Sequence, residues 1–283
     1  MLYNLLLTQD AIARLEASVE AASPEIRAGL RSRMSYREAA GWLAHHGFWI
    51  HPLDLALRDM QLTGAYAAAT LGTRLPSVLP ATTAGRAAIE ALPNDRDVAT
   101  ALRIAQRWRR LAELPSWTPE GELPEPDGDP PLLSAVRLLV AEGINTDAHL
   151  RAAWLWRARG GTGNPGLPLW SAPIQHLTRA SLAAEPERAL LGCIAEAALA
   201  ARRELARLTA AAARGQALPA TARSHLPDAL AAAIRAPVIT AGTLGRELGI
   251  TSRAAAGLIA RLTAAGLLRE ATGRKAWRGF VLV

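Results

Sequence analysis

A chain of 283 residues is long enough for two domains, and a composition half hydrophobic is ample for real cores. Much of that half is alanine, with two Phe and three Tyr beside eight Trp, so the cores are expected to be thin helix-on-helix interfaces. The single cysteine, Cys193, excludes an internal disulfide framework, and no apolar run approaches the roughly eighteen residues that span a bilayer. The net charge of +7 comes almost wholly from arginine, since Lys275 is the one lysine; residues 237–283 alone carry seven basic against two acidic side chains, a net +5. A basic excess gathered in one short segment points to a polyanionic partner.

From the N-terminus, MLYNLLLTQD lacks a basic n-region and a cleavage site, so a cytoplasmic protein without a membrane partner is expected. Thr8-Gln9-Asp10 predicts a helix start running to about Ala22, and Ser23-Pro24-Glu25 a second start with Pro in the tolerated first turn. A third helix is expected from about Ser35 to His46, a fourth from His51-Pro52-Leu53-Asp54 to about Thr63, and a further one from Pro93-Asn94-Asp95 to about Leu114. Glu113–Pro131 holds six Pro and six acids and reads as an extended linker. Short helices follow over Pro131–Glu142 and Asp147–Arg157, and Arg159–Pro173, with four Gly and three Pro, is a second irregular connection. Glu185-Pro186 opens the longest helix, to about Arg214 with Gly215 as its stop, and Cys193 within it reads as a buried, inert thiol. The expected fold is mainly α, with helical N-terminal and middle regions followed by a C-terminal winged helix-turn-helix. The domains read as 1–112, a linker 113–131, a middle region 132–225 and a C-terminal domain 226–283.

Residues 226–283 carry the functional argument. Leu226–Arg235 predicts a helix stopped by Pro237. Thr240 caps a short helix carrying Leu244 and Leu248, with small Gly245 where a neighbouring helix must come close. Gly249 permits a positive-φ turn, Ile250 plugs the corner, and Thr251 caps a helix whose inward face is Ala255, Leu258, Ile259 and Leu262. That spacing is the one a helix-turn-helix requires. Gly266–Glu270 and Ala276–Val281 then read as two strands around a turn at Ala271–Lys275, which makes a short basic wing.

A helix fits the major groove and offers its N-terminal side chains to base edges. The outward positions here are Ser252, Arg253, Ala256, Gly257 and Ala260, with Arg261 at the flank. Arg253 can give two parallel donors to guanine, and Ser252 can reach base or phosphate. Thr240 and Thr251 stand at helix N-termini, where unpaired backbone N–H groups suit phosphate. Arg274 and Lys275 are expected at phosphate or in the minor groove, and Arg246 and Arg278 at phosphate. The expected partner is double-stranded DNA, with a homodimer, a protein partner or a small effector engaging the helical body. The alternatives are a protein-docking adaptor, for example in a phage, plasmid or defence assembly, and an enzyme with a DNA-targeting tail.

The stretch Leu244–Val281, above all Gly266-Leu267-Leu268-Arg269-Glu270-Ala271-Thr272-Gly273-Arg274-Lys275, resembles the C-terminal winged helix attached to many Fic-family proteins. The early segment from Glu38-Ala39-Ala40 through His51-Pro52-Leu53-Asp54-Leu55 resembles the helical N-terminal region of that family. Both ends also resemble helix-turn-helix proteins of alphaproteobacterial plasmids that lack the Fic catalytic core. Fic enzymes transfer a nucleotide with a His-x-Phe-x-Asp/Glu-Gly-Asn-Gly-Arg loop, and no such string occurs here; His45-His46-Gly47-Phe48 lacks the acid and the phosphate cradle. The resemblance therefore implies the DNA-binding wing and not the transferase.

Other constellations have plainer readings. His45, His46 and His51 with Trp42, Phe48 and Trp49, near Asp54 and Asp59, read as a helix end packing its aromatics rather than a metal site. Trp154, Trp156 and Trp170 read as core anchors, and the Gly160–Gly166 loop lacks the Lys-Ser/Thr of a phosphate loop. No catalytic residue, metal or cofactor is expected.

Overall fold

The computed structural model describes residues 2–45, 48, 50–60, 95–113, 128–143, 145–159, 166–169, 184–219, 224–272 and 278–283. Among these, the protein has ten α-helices and one two-stranded antiparallel sheet, so it is mainly α. No helix among the described residues is long and apolar enough to cross a membrane. The chain divides into two compact units that interleave along the sequence. Unit 1 takes Met1–Ala21, Met34–Ile50 and Val78–Arg202, and unit 2 takes Ala22–Arg33, His51–Ser77 and Arg203–Val283.

Helix α1 (Leu2–Glu20) begins a turn and a half before the expected Thr8 start. Thr8 is not a cap. Its hydroxyl is buried and donates to the carbonyls of Asn4 and Leu191, 2.7 and 3.0 Å away. Leu5, Thr8, Ala11, Ile12, Leu15 and Val19 form the buried stripe, at the i, i+3, i+4 spacing of one helix face. Leu2, Tyr3, Leu6 and Leu7 lie exposed beside it.

Helix α2 (Pro24–His45) joins the two helices expected to start near Ser23 and Ser35 into one. Nothing between Arg31 and Tyr36 breaks a helix, and the glycine upstream has a packing role: a Cβ on Gly29 would collide with the backbone carbonyl of Ile234. Helix α3 (Pro52–Asp59) starts as expected, with His51 Nδ1 accepting from the Leu53 N–H at 3.1 Å. His51 is thus a helix cap, while His46 and Trp49 lie outside the described residues.

In unit 1, α4 (Asp95–Glu113), α5 (Pro131–Glu142) and α6 (Thr146–Ala158) appear where the sequence places them. Asn145 caps α6 by accepting from the Ala148 N–H. α5 packs against α6 and α1, and α6 also packs against α4. The segment Gly166–Leu169 is held by two buried polar side chains that sequence reading did not single out. His149 Nε2–H donates to the Leu167 carbonyl at 2.7 Å, and the Glu38 carboxylate accepts from the Leu169 N–H at 3.1 Å. Trp156 is a core residue, Trp154 is half-buried, and Trp170 lies outside the described residues.

Helix α7 (Pro186–Gln216) runs past Gly215, which is no stop: a Cβ there would strike Leu230. Cys193 is fully buried, and desolvation, followed by the negative charge of Glu196, pushes its thiol up to about 12. A thiol held so far above the usual range is inert at neutral pH.

Candidate nucleic-acid interface

The C-terminal part of unit 2 is assembled from α8 (Leu226–Arg235), α9 (Ala241–Leu248), α10 (Ser252–Ala264), β1 (Leu268–Glu270) and β2 (Phe280–Leu282). α8 carries Pro227 in its first turn and ends at Ala236, whose extended backbone is what a following proline demands. Thr240 caps α9 with a reciprocal box: its hydroxyl accepts from the Thr243 N–H, and the Thr243 hydroxyl accepts from the Thr240 N–H. Gly249 ends α9 in the left-handed conformation at φ 66°, where a side chain would strain the backbone. Thr251 then caps α10 by accepting from the Ala254 N–H at 3.2 Å.

Packing explains the spacing. A Cβ on Gly245 would stand 2.9 Å from the Ile250 carbonyl and 3.4 Å from the Ser252 N, so only glycine lets α9 meet the turn. Ala255, Ile259 and Leu262 are buried against α8 and α9. Leu258 and Ile250 are only half-buried, a partial departure from the expected inward face and corner plug. All five positions expected outward, Ser252, Arg253, Ala256, Gly257 and Ala260, are exposed.

The sheet is shorter than expected. β1 begins at Leu268 because Gly266 adopts φ 68° and turns the chain, and β2 spans Phe280–Leu282, while Ala276 and Trp277 of the expected strand lie outside the described residues. The register pairs Leu268 with Leu282, Arg269 with Val281 and Glu270 with Phe280, and Ile239 makes an isolated bridge to Phe280. The Thr272 hydroxyl accepts from the Gly279 N–H at 3.1 Å and closes the base of the hairpin. A Cβ at Gly279 would meet Thr272, Val238 and Leu57 within 3.0–3.3 Å. Arg274 and Lys275 lie outside the described residues.

The cations differ in how they are held. Arg253 and Arg246 are exposed and, among the described residues, make no ion pair or hydrogen bond. Arg261 is exposed but donates to the Pro219 carbonyl at 3.2 Å, and Arg278 sits 3.8 Å from the Glu270 carboxylate. Glu247 is engaged by Arg235, so one of the domain's three acids is partly neutralised by a cation of α8. Sequence reading missed Arg269 as a site candidate. The strand alternation that buries Leu268 and turns Arg269 outward was the available signal.

Sequence reading also missed what anchors this assembly. Buried Arg33 donates to the carbonyls of Ala233, Ile234 and Ala236 at the C-terminus of α8, where helix carbonyls are left without partners. Its Nε lies 3.4 Å from buried Glu204 of α7. Glu204 also accepts from Arg207, whose Nη1 donates to the Leu282 carbonyl in β2 at 2.8 Å.

Residues 226–283 match the family described as HTH DNA binding domain. No curated protein matches the chain. The three-helix geometry and the family match agree over the same residues: this segment is a helix-turn-helix domain of the DNA-binding type.

Proposed function

We propose that this protein is a non-enzymatic transcriptional regulator that holds duplex DNA through α10 and the basic hairpin. The observation that carries the reading is the pairing state of Arg253. Its guanidinium stands in the first turn of a groove-sized helix, exposed and without a partner among the described residues. A planar fork so placed matches guanine O6 and N7. Thr240 and Thr251 would set α9 and α10 end-on to phosphates, with Arg246, Arg261, Arg274, Lys275 and Arg278 as backbone contacts and Ser252 and Gly257 at the groove. The resemblance to Fic-associated winged helices supports the same use of the hairpin.

The helical body would serve dimerisation, a protein partner or an effector; exposed Leu2, Tyr3, Leu6 and Leu7 offer an apolar surface for such contact. The sparse polar content of the α10 face favours one second reading, an adaptor that docks protein. Selection from a random duplex pool, followed by competition, separates the two. Binding with a preferred sequence is expected, and Arg253→Ala should cost about 1–3 kcal/mol on that sequence while binding other duplexes nearly as before. Unchanged mobility of all DNA at low salt would favour the adaptor, and turnover of nucleotides by the purified chain would overturn the non-enzymatic assignment.

A further inference from the structure

We infer that α10 reads thymine methyl groups beside a single guanine, and that Gly257 is left bare so that the helix backbone can lie close to those bases. The inference rests on the DNA-binding reading above. The site is located by the three-helix geometry and the family match; the small residues decide only what it can read.

Arg253, Ala256, Gly257 and Ala260 follow one another at i, i+3, i+4 and i+7, so they share one face, and all four are exposed. On that face Arg253 is the side chain that selects one base by hydrogen bond; the Ser252 hydroxyl at its N-terminal edge donates and accepts alike and selects none. The helix sequence SRAAAGLIARLTA contains no Asn or Gln to pair adenine and no Asp or Glu to accept from cytosine. What remains on the face are alanine methyls. In the major groove the matching apolar feature is the C5-methyl of thymine. The face can therefore discriminate guanine through Arg253 and thymine through Ala256 and Ala260.

Gly257 gives the independent argument. Glycine weakens a helix interior relative to alanine. Elsewhere in this domain Gly245 avoids a clash and Gly249 takes a positive φ, while Gly242, in the first turn of α9, is open as Gly257 is. At Gly257 a Cβ would meet nothing within 4 Å, and the backbone is ordinary helix. No contact within the described chain calls for glycine there. A surface outside the chain that comes within a side chain's length does.

The test uses the full chain and the duplex most enriched from a random pool. That duplex is resynthesised with deoxyuridine replacing thymidine one position at a time, which removes only the methyl group. One or two positions next to the required guanine should each weaken binding by about fourfold, as expected for losing one buried methyl-sized group. Gly257→Gln, which has room in the free protein, should match or exceed the parent's thermal midpoint and lose at least about tenfold on the enriched duplex. Equal affinity for thymine and uracil duplexes at every position, or parental affinity of Gly257→Gln, would overturn the inference while leaving DNA binding intact. If the parent enriches no duplex even at low salt, the DNA-binding reading falls and this inference with it.

Discussion

The guanidinium of Arg33 donates to the backbone carbonyl of Ile234, 201 residues further along the chain, at 2.5 Å. Through this bond a buried cation near the start of the protein supplies the C-terminal cap of the first helix of the DNA-binding domain. Helix carbonyls carry partial negative charge, and Glu204 balances the remaining positive charge, so the arginine is buried at tolerable cost.

Arg33→Ala should therefore lower stability by about 1.5–3 kcal/mol, because it uncaps α8 and leaves Glu204 with Arg207 in place of two cationic partners. Arg33→Lys, which keeps the charge but not the fork, should recover only part of that loss. Urea unfolding followed by circular dichroism measures both, and a midpoint for Arg33→Ala equal to the parent's would remove the anchor.

The turn between α9 and α10 makes a second prediction. Gly249→Ala forces a Cβ into left-handed backbone and should cost about 1–2 kcal/mol. Gly245→Val should do more harm, since its branched side chain must push the Ile250 carbonyl and the start of α10 apart. Parallel measurements of unfolding and duplex binding should show Gly245→Val losing binding beyond its loss of stability, because α10 itself is displaced.

On the proposed DNA-binding reading, changing Arg274 and Lys275 together to Ala should weaken preferred and random duplexes evenly. Each phosphate contact contributes about 0.9 to the slope of log affinity against log salt, so the slope should fall by roughly 2. Retention of the parental slope would dismiss these two as phosphate contacts.

In unit 1, burial holds the His149 imidazole below its usual range, against the opposing pull of Glu38 and the Leu167 carbonyl. The neutral ring with Nε2–H is the form that donates to Leu167. Below the ordinary histidine value the unfolded chain takes up a proton that the folded one resists, so stability is present above pH ~6.5 and lost as pH falls beneath it. His149→Gln should be less stable at pH 7.5 yet lose less between pH 7.5 and 5.5 than the parent. Parallel pH profiles for the two proteins would show that His149 does not titrate on unfolding.

The helix-turn-helix was legible residue by residue because its determinants are local. Thr240 and Thr251 cap helices within three residues of themselves, Gly249 turns the chain at its own φ, and the burial of Ala255, Ile259 and Leu262 follows helical period. The mainly α class was readable for the same reason, as was the start of α3 at His51-Pro52. Two errors share one cause: Gly215 read as a stop and Thr8 as a cap. Each residue type carries a local meaning that a distant neighbour replaced, namely Leu230 for Gly215 and the Leu191 carbonyl for Thr8.

By itself, then, the sequence determined where helices cap and turn, which face of α10 is apolar, and that positive charge gathers at the carboxy end. Those properties depend on interactions spanning a few residues. Only the tertiary structure decided that Arg33 and Glu204 secure α8, that Glu38 and His149 hold Gly166–Leu169, and that Arg253 has no partner among the described residues while Arg261 is tied to Pro219. A buried charge is stable only when distant partners meet it, and no local pattern records that meeting.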